Sequence, residues 1–69
     1  CKLVAGVVSR VAQFVYRGDT YVALEVNGET FFATPEIGLQ QFVKLLRVAE
    51  GSRVKICVSG DRVVSGVEP

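Results

Sequence analysis

The sequence predicts a mainly β domain with one helix, an OB-fold five-stranded barrel in the order β-β-β-α-β-β. The hydrophobic residues are rich in valine, which favours pleated sheet. An Asn27-Gly28 pair separates two β-rich runs, and helical spacing of apolar residues begins only after Thr34. With 69 residues the chain is long enough for one small core, so residues 1–69 are taken as a single OB-fold domain.

The first predicted strand, residues 3–17, is long, and its apolar residues change from odd-numbered to even-numbered positions along it. Val7 and Val11 are odd-numbered, whereas the later apolar positions are Ala12, Phe14 and Tyr16. A strand that changes its buried face must bend or bulge, as the strand shared by both halves of a closed barrel does. We therefore expect a bend near the middle of this strand.

The second and third predicted strands, residues 20–26 and 29–33, form a hairpin. The second strand alternates cleanly, with its core face formed by Val22, Leu24 and Val26. Asn27-Gly28 suits a type I′ turn because both positions of that turn need positive φ.

A helix is predicted after Thr34, the expected N-cap, with Pro35 as its first residue and Gly51 as its stop. Its expected apolar stripe consists of Leu39, Phe42, Val43 and Leu46. Leu45 and Val48 lie outside that stripe and widen it, so the helix is expected to contact more than its own barrel.

The last two strands are predicted at residues 52–58 and from 62 to about 67, with a turn at 59–61. Cys57 faces away from the valines and isoleucine of its strand, beside Arg53 and Lys55. Cys1 and Cys57 are either one disulfide or two unrelated thiols, and the outward placement of Cys57 favours the bridge. Such a bridge would contribute about 4 kcal/mol of stability.

The composition argues against catalysis. The chain has no histidine, no metal-ligand spacing and no glycine-rich phosphate loop, so we expect no enzyme activity, no cofactor and no metal. The carboxylates are scattered through turns, strands and helix ends.

A net charge of +1 argues against a nucleic-acid partner. No apolar stretch approaches the roughly 18 residues of a membrane span.

A sugar-binding surface combines an aromatic face with carboxylates that accept hydrogen bonds from hydroxyls. Asp19, Tyr21, Glu29 and either Phe31 or Phe32 fall close together on the second and third strands. The alternative is that the phenylalanines are core residues and the carboxylates are solvated.

The stretch GDTYVALEVNGETFFATPEIGLQQFVKLLRVAEGSRVKI, residues 18–56, resembles the B subunit of Shiga toxin, the receptor-binding subunit of pentameric A–B toxins. Shared features are an early cysteine, an Asp-Thr-aromatic strand after a turn, and a Phe-bearing strand after a glycine turn. An amphipathic helix, a Val/Ile strand and a second cysteine follow in both. The resemblance covers the chain from Cys1 to about Val58.

The resemblance implies a secreted or periplasmic homopentamer that binds a cell-surface glycan or glycolipid, with a catalytic A chain as a further partner. It also implies a Cys1–Cys57 disulfide. The family's sugar site corresponds here to Asp19, Thr20, Glu29, Phe31 and Gly60. Thr34-Pro35-Glu36 replaces the family's Asn-Arg-Trp, so the site built on that tryptophan is expected to be missing.

Two other functions compete with this interpretation. A cytosolic OB-fold domain could bind single-stranded nucleic acid by stacking bases on Tyr16, Tyr21 and Phe31, with phosphates held by Arg10, Arg17, Arg53 and Lys55. A periplasmic or lipid-anchored OB domain with a structural role would use Cys1 as an acylated residue.

Overall fold

The computed structural model describes residues 1–68, so the predicted domain boundary at Pro69 lies outside the described residues. Five strands and one α-helix occur in the predicted order, with a short 3-10 helix before the α-helix. The elements are β1 (Lys2–Tyr16), β2 (Asp19–Val26), β3 (Glu29–Ala33), the 3-10 helix (Pro35–Ile37), α1 (Leu39–Leu46), β4 (Arg53–Ser59) and β5 (Val63–Glu68).

The strands close into a barrel in the spatial order β1-β2-β3-β5-β4. The N-terminal half of β1 pairs with β4 and its C-terminal half pairs with β2, both antiparallel. A short parallel contact between β3 and β5 completes the ring, with Phe32 opposite Val63 and the Phe32 N–H donating to the Arg62 carbonyl at 2.9 Å. The predicted five-stranded OB-fold is confirmed.

The predicted irregularity in β1 is a bulge between Val8 and Arg10. The Ser9 hydroxyl donates to the Glu25 Oε1 atom at 2.6 Å and ties the bulge to β2. Before the bulge the even-numbered face of β1 is the buried one, because Val8 is fully buried whereas Val7 is 45% exposed. Since valines occupy both faces of this strand, alternation alone could not identify the buried one.

Strands β2 and β4 bury the faces that the sequence predicts. Val22, Leu24 and Val26 of β2 point into the barrel, as do Val54, Ile56 and Val58 of β4. The Asn27-Gly28 turn has positive φ at both residues, as a type I′ hairpin requires. The buried core consists of Val8, Val22, Leu24, Val26, Phe31, Ala33, Phe42, Leu45, Val54, Ile56, Val58, Val64 and Val67.

The helical region is shorter than predicted and is interrupted. Thr34 is the expected cap, since its Oγ1 accepts a hydrogen bond from the Glu36 N–H at 3.3 Å, but it caps the 3-10 helix. Gly38 has φ 103°, which separates that turn from α1. Gly51 (φ 89°) belongs to the turn before β4 and does not end α1, whose C-cap is Arg47.

The buried face of α1 also differs from the predicted stripe. Phe42 and Leu45 enter the core, whereas Leu39 is 77% exposed and Leu46 is also exposed. The Gln41 side chain helps to set this rotation, because its Oε1 accepts a hydrogen bond from the Val67 N–H at 2.9 Å. The side of the helix next to Gln41 therefore faces the barrel, and the Leu39–Leu46 side faces outward.

Cys1 and Cys57 form a disulfide with a Cα–Cα distance of 5.6 Å, which confirms the predicted bridge. The bridge fastens the start of β1 to β4, where Leu3 lies opposite Cys57. In this bond the Cys1 sulfur is joined to Cys57 and is not a free thiol.

Gly6 of β1 lies under the side chain of Asn27 from the β2–β3 turn. The Asn27 Nδ2 donates to the Ala5 carbonyl at 3.0 Å, and a Cβ atom at Gly6 would overlap the Asn27 Oδ1. The turn is thus anchored to β1 across a position that has no room for a side chain.

We expect Gly6→Ala to lower the free energy of unfolding by about 1–3 kcal/mol, because the new methyl displaces the Asn27 side chain and its hydrogen bond. Gly66→Ala is the matched control, since its Cβ would meet no atom closer than 3.7 Å. Urea unfolding of both variants measures the difference. Equal stabilities would show that the Asn27 anchor contributes nothing.

Candidate functional site

Three rings form one surface on the outside of the β1–β2 hairpin, here called the aromatic surface: the exposed Phe14 and Tyr16 and the partly buried Tyr21. Phe14 lies opposite Tyr21 in the strand register, and their rings stack with centroids 5.4 Å apart and planes 12° apart. Tyr16, 54% exposed, meets Tyr21 edge-on at 6.3 Å. The surface exists because, after the bulge, the even-numbered residues of β1 point outward.

Arg17 extends the aromatic surface at the tip of the hairpin. Its guanidinium carbon lies 5.3 Å from the centroid of the Tyr16 ring, within cation–π distance. Arg17 and Gly18 form a two-residue turn, and Arg17 has φ 53°, a conformation that costs a residue with a side chain about 1–2 kcal/mol. The turn thus holds a cation beside the rings in a strained backbone conformation.

Two of the predicted sugar-site residues lie at the end of the hairpin that carries the aromatic surface, Asp19 on the same face as the rings and Thr20 on the opposite face. Asp19 begins β2 opposite Tyr16, and Thr20 lies opposite Val15. Asp19 is exposed and Thr20 is partly buried. At this end of the hairpin a ligand would find ring faces, a carboxylate and a guanidinium within one small area.

A second surface lies where the starts of β1 and β3 meet the β4–β5 turn. It is an open depression of about 200 Å³, here called the charged groove. Its polar side chains carry both signs of charge, and its floor is apolar. The groove is lined by Lys2, Val4, Glu29, Phe31, Val58, Gly60, Asp61 and Arg62.

Three of the five predicted sugar-site residues, Glu29, Phe31 and Gly60, line this groove together. Asp19 and Thr20 do not, since Glu29 lies opposite Val26, seven residues along β2 from Asp19. At about 3.3 Å per residue this separation is about 20 Å. Phe31 is only 4% exposed and belongs to the core, so it lies beneath the groove and cannot stack on a ligand.

Of the two phenylalanines between which the sequence did not decide, Phe32 is the exposed one, but it belongs to neither surface. Sequence reasoning missed several residues of the two surfaces. Phe14 entered the sequence analysis only as evidence for a bend in β1. A two-residue turn at residues 17 and 18 would have placed it opposite Tyr21. Asp61 and Arg62 reach the charged groove through the β4–β5 turn, whose shape no local sequence signal predicts.

Within the described residues, no three His, Cys, Asp or Glu side chains lie close enough together to hold a metal ion. Residues 1–68 also contain no helix with the length and apolar character needed to cross a membrane. Compared with protein-family models, curated proteins and solved structures, the chain shows no significant match.

We expect Arg17→Asn to be more stable than Arg17→Gln by about 1 kcal/mol. Both variants lose the contact with Tyr16, but asparagine tolerates positive φ far better than glutamine. Comparing the two by urea unfolding isolates the backbone cost of the turn. Equal stabilities would mean that residue 17 is not strained in the folded protein.

Proposed function

We propose that the chain is a non-catalytic, glycan-binding subunit that works as a ring of identical copies, in line with its resemblance to the B subunit of Shiga toxin. The proposal rests chiefly on one observation. The charged groove brings Glu29 and Gly60, which the resemblance assigns to a sugar site, next to Asp61, Arg62 and Lys2.

The chemistry of the groove suits a ligand rich in hydroxyl groups. Glu29 and Asp61 can accept hydrogen bonds from hydroxyls, while Arg62 and Lys2 can donate to ring and hydroxyl oxygens. Gly60 has no side chain, so a sugar ring can approach the backbone of the turn. Val4 and Val58 supply apolar area for the C–H groups of the ring.

A site that uses all five predicted residues requires two copies of the chain. Asp19 and Thr20 lie about 20 Å from Glu29 in one copy, which is too far for a single sugar ring to bridge. We propose that the aromatic surface of one copy borders the charged groove of its neighbour. A complete site would then contain ring faces, three carboxylates and two or more cations.

The outward face of α1 supports assembly. Leu39, Val43 and Leu46 follow one helical stripe, and the two leucines are exposed to solvent in the single chain. Apolar stripes of this kind are buried when identical copies associate.

The pentameric ring size and the catalytic A-chain partner are proposed from the resemblance. The disulfide supports an oxidising location, secreted or periplasmic.

Nucleic-acid binding is the second candidate, favoured by the aromatic surface. Stacked rings beside an arginine on the outside of an OB barrel can hold unpaired bases. Phe31, one of the three stacking residues expected from sequence, is buried, and Phe14 takes its place. This candidate therefore depends on Phe14, Tyr16 and Tyr21, and it makes no use of Glu29.

We expect a glycan array to identify a ligand whose free form binds near the millimolar range, about 4 kcal/mol, and whose surface-coated form binds about 10² to 10⁴ times more tightly. Glu29→Gln should weaken binding about tenfold by removing a charged acceptor. Glu36→Gln is the matched control, an exposed carboxylate outside the groove.

The nucleic-acid candidate predicts a different pattern in the same set of variants. Binding of a ten-nucleotide deoxythymidine strand would fall steeply between 50 and 200 mM salt, and Tyr16→Ala would weaken it while Glu29→Gln would not. A silent glycan array together with such binding would overturn the glycan proposal.

We expect sedimentation to give a mass near five times the 7.5 kDa of one chain. The double variant Leu39→Gln, Leu46→Gln should sediment as a single chain, because it replaces two exposed leucines of the stripe with polar side chains. Gln40→Ala, on the same helix beside the stripe, should leave the assembly intact. A 7.5 kDa species for the unaltered chain at micromolar concentration would contradict the ring.

A further inference from the structure

A cavity away from both surfaces lies between the end of α1 and strands β4 and β5. It has a volume of about 300 Å³ and is here called the basic pocket. That volume is at the lower end for pockets that bind small molecules. Its lining residues are Lys44, Arg47, Val48, Ser52, Arg53, Val54 and Val67.

The floor and the rim of the basic pocket have different chemistry. Val54 and Val67 are buried, and the partly buried Val48 packs against the core. The rim carries exposed cations from two elements, Lys44 and Arg47 at the end of α1 and Arg53 at the start of β4. A bound molecule would therefore contact apolar carbons below and positive charge above.

The charge of the basic pocket is unbalanced. Three of the eight basic residues in the chain line it, and none of the lining residues whose side chains the structure describes is acidic. Glu50 lies in the neighbouring turn and is exposed, but it does not line the pocket. The whole chain has a net charge of only +1, so a cluster of three cations without a carboxylate among the described lining residues is a local excess of positive charge.

Helix stabilisation explains only part of this cluster. Lys44 in the last turn and Arg47 at the C-cap complement the negative end of the α1 dipole. Arg53 lies on β4 and has no such role. Because Arg53 shares the pocket with both, three like charges surround one cavity, and a bound anion would relieve their repulsion.

We propose that the basic pocket binds a small amphipathic anion, a phosphate or sulfate ester that carries an apolar group about the size of a phenyl ring. The oxyanion accepts charge-assisted hydrogen bonds from Arg47, Arg53 and Lys44. The apolar group covers the valine floor, and burying it adds affinity that an inorganic anion cannot gain. This site is independent of the proposed glycan function.

The test uses phenyl phosphate, inorganic phosphate and benzyl alcohol as probes, with binding followed by isothermal calorimetry and by backbone amide shifts. Phenyl phosphate should bind in the low millimolar range or tighter, with shifts at residues 47–54, and each of the other two probes at least tenfold more weakly. Arg53→Gln and Arg47→Gln should each weaken phenyl phosphate about five- to tenfold.

Arg10→Gln is the matched control, since it removes the same side chain and charge at a position that lines neither the basic pocket nor the charged groove, and it should leave phenyl phosphate binding unchanged. An equal loss in Arg10→Gln would overturn the proposal by showing that net charge alone attracts the anion. Equal binding of inorganic phosphate, or no binding of phenyl phosphate at 10 mM, would also overturn it. Arg53→Lys keeps the charge and should recover part of the affinity if Arg53→Gln is poorly folded.

Discussion

The double pairing of β1 is the constraint on which the rest of the structure depends. Its first half bonds to β4 and its second half to β2, so the strand must change its inward face between them. The change occurs at the Ser9 bulge, where the Val8 N–H donates to the Ser52 carbonyl at 2.8 Å and the Val8 carbonyl accepts from the Gly51 N–H at 2.7 Å. Beyond the bulge the even-numbered residues face outward and form the aromatic surface. Before it, the strand lies beside β4, which brings Cys1 to Cys57 and Lys2 to the charged groove.

Much of the fold could be predicted because local sequence and tertiary packing agree. β2 and β4 alternate strictly, so their buried faces follow from the pleat, and Asn27-Gly28 fixes the hairpin between β2 and β3. The face of α1 could not be predicted, because Leu39, Val43 and Leu46 form as good an apolar stripe as Phe42 and Leu45. The face that α1 turns to the barrel is fixed in part by a long-range hydrogen bond, in which the Val67 N–H donates to the Gln41 side chain 26 positions away. The faces of β1 were ambiguous for the same reason, since apolar side chains occupy both of them.

The candidate surfaces were predictable only in part, because each depends on residues brought together by register. Glu29 was identified from the residues and again through the resemblance, Gly60 through the resemblance alone, and the fold places both in one groove. Phe31 and Phe32 are adjacent, and a difference of one position decides which is core and which is exposed. The basic pocket was not anticipated, since Lys44, Arg47 and Arg53 come from a helix and a strand whose relative placement is fixed by the barrel.

The distribution of charge separates the two candidate functions of the barrel. A groove that follows a nucleic-acid backbone needs several cations along the stacking rings. Beside the aromatic surface Arg17 is accompanied by Asp19, and Arg10 lies opposite Glu25 in the strand register, so positive and negative groups nearly balance there. Three further cations, Lys44, Arg47 and Arg53, line the basic pocket, which is formed by α1, β4 and β5 and not by the β1–β2 hairpin. A surface with ring faces, a nearby carboxylate and little net charge suits a neutral, hydroxyl-rich ligand better than a polyanion, and this balance favours the glycan over the nucleic acid.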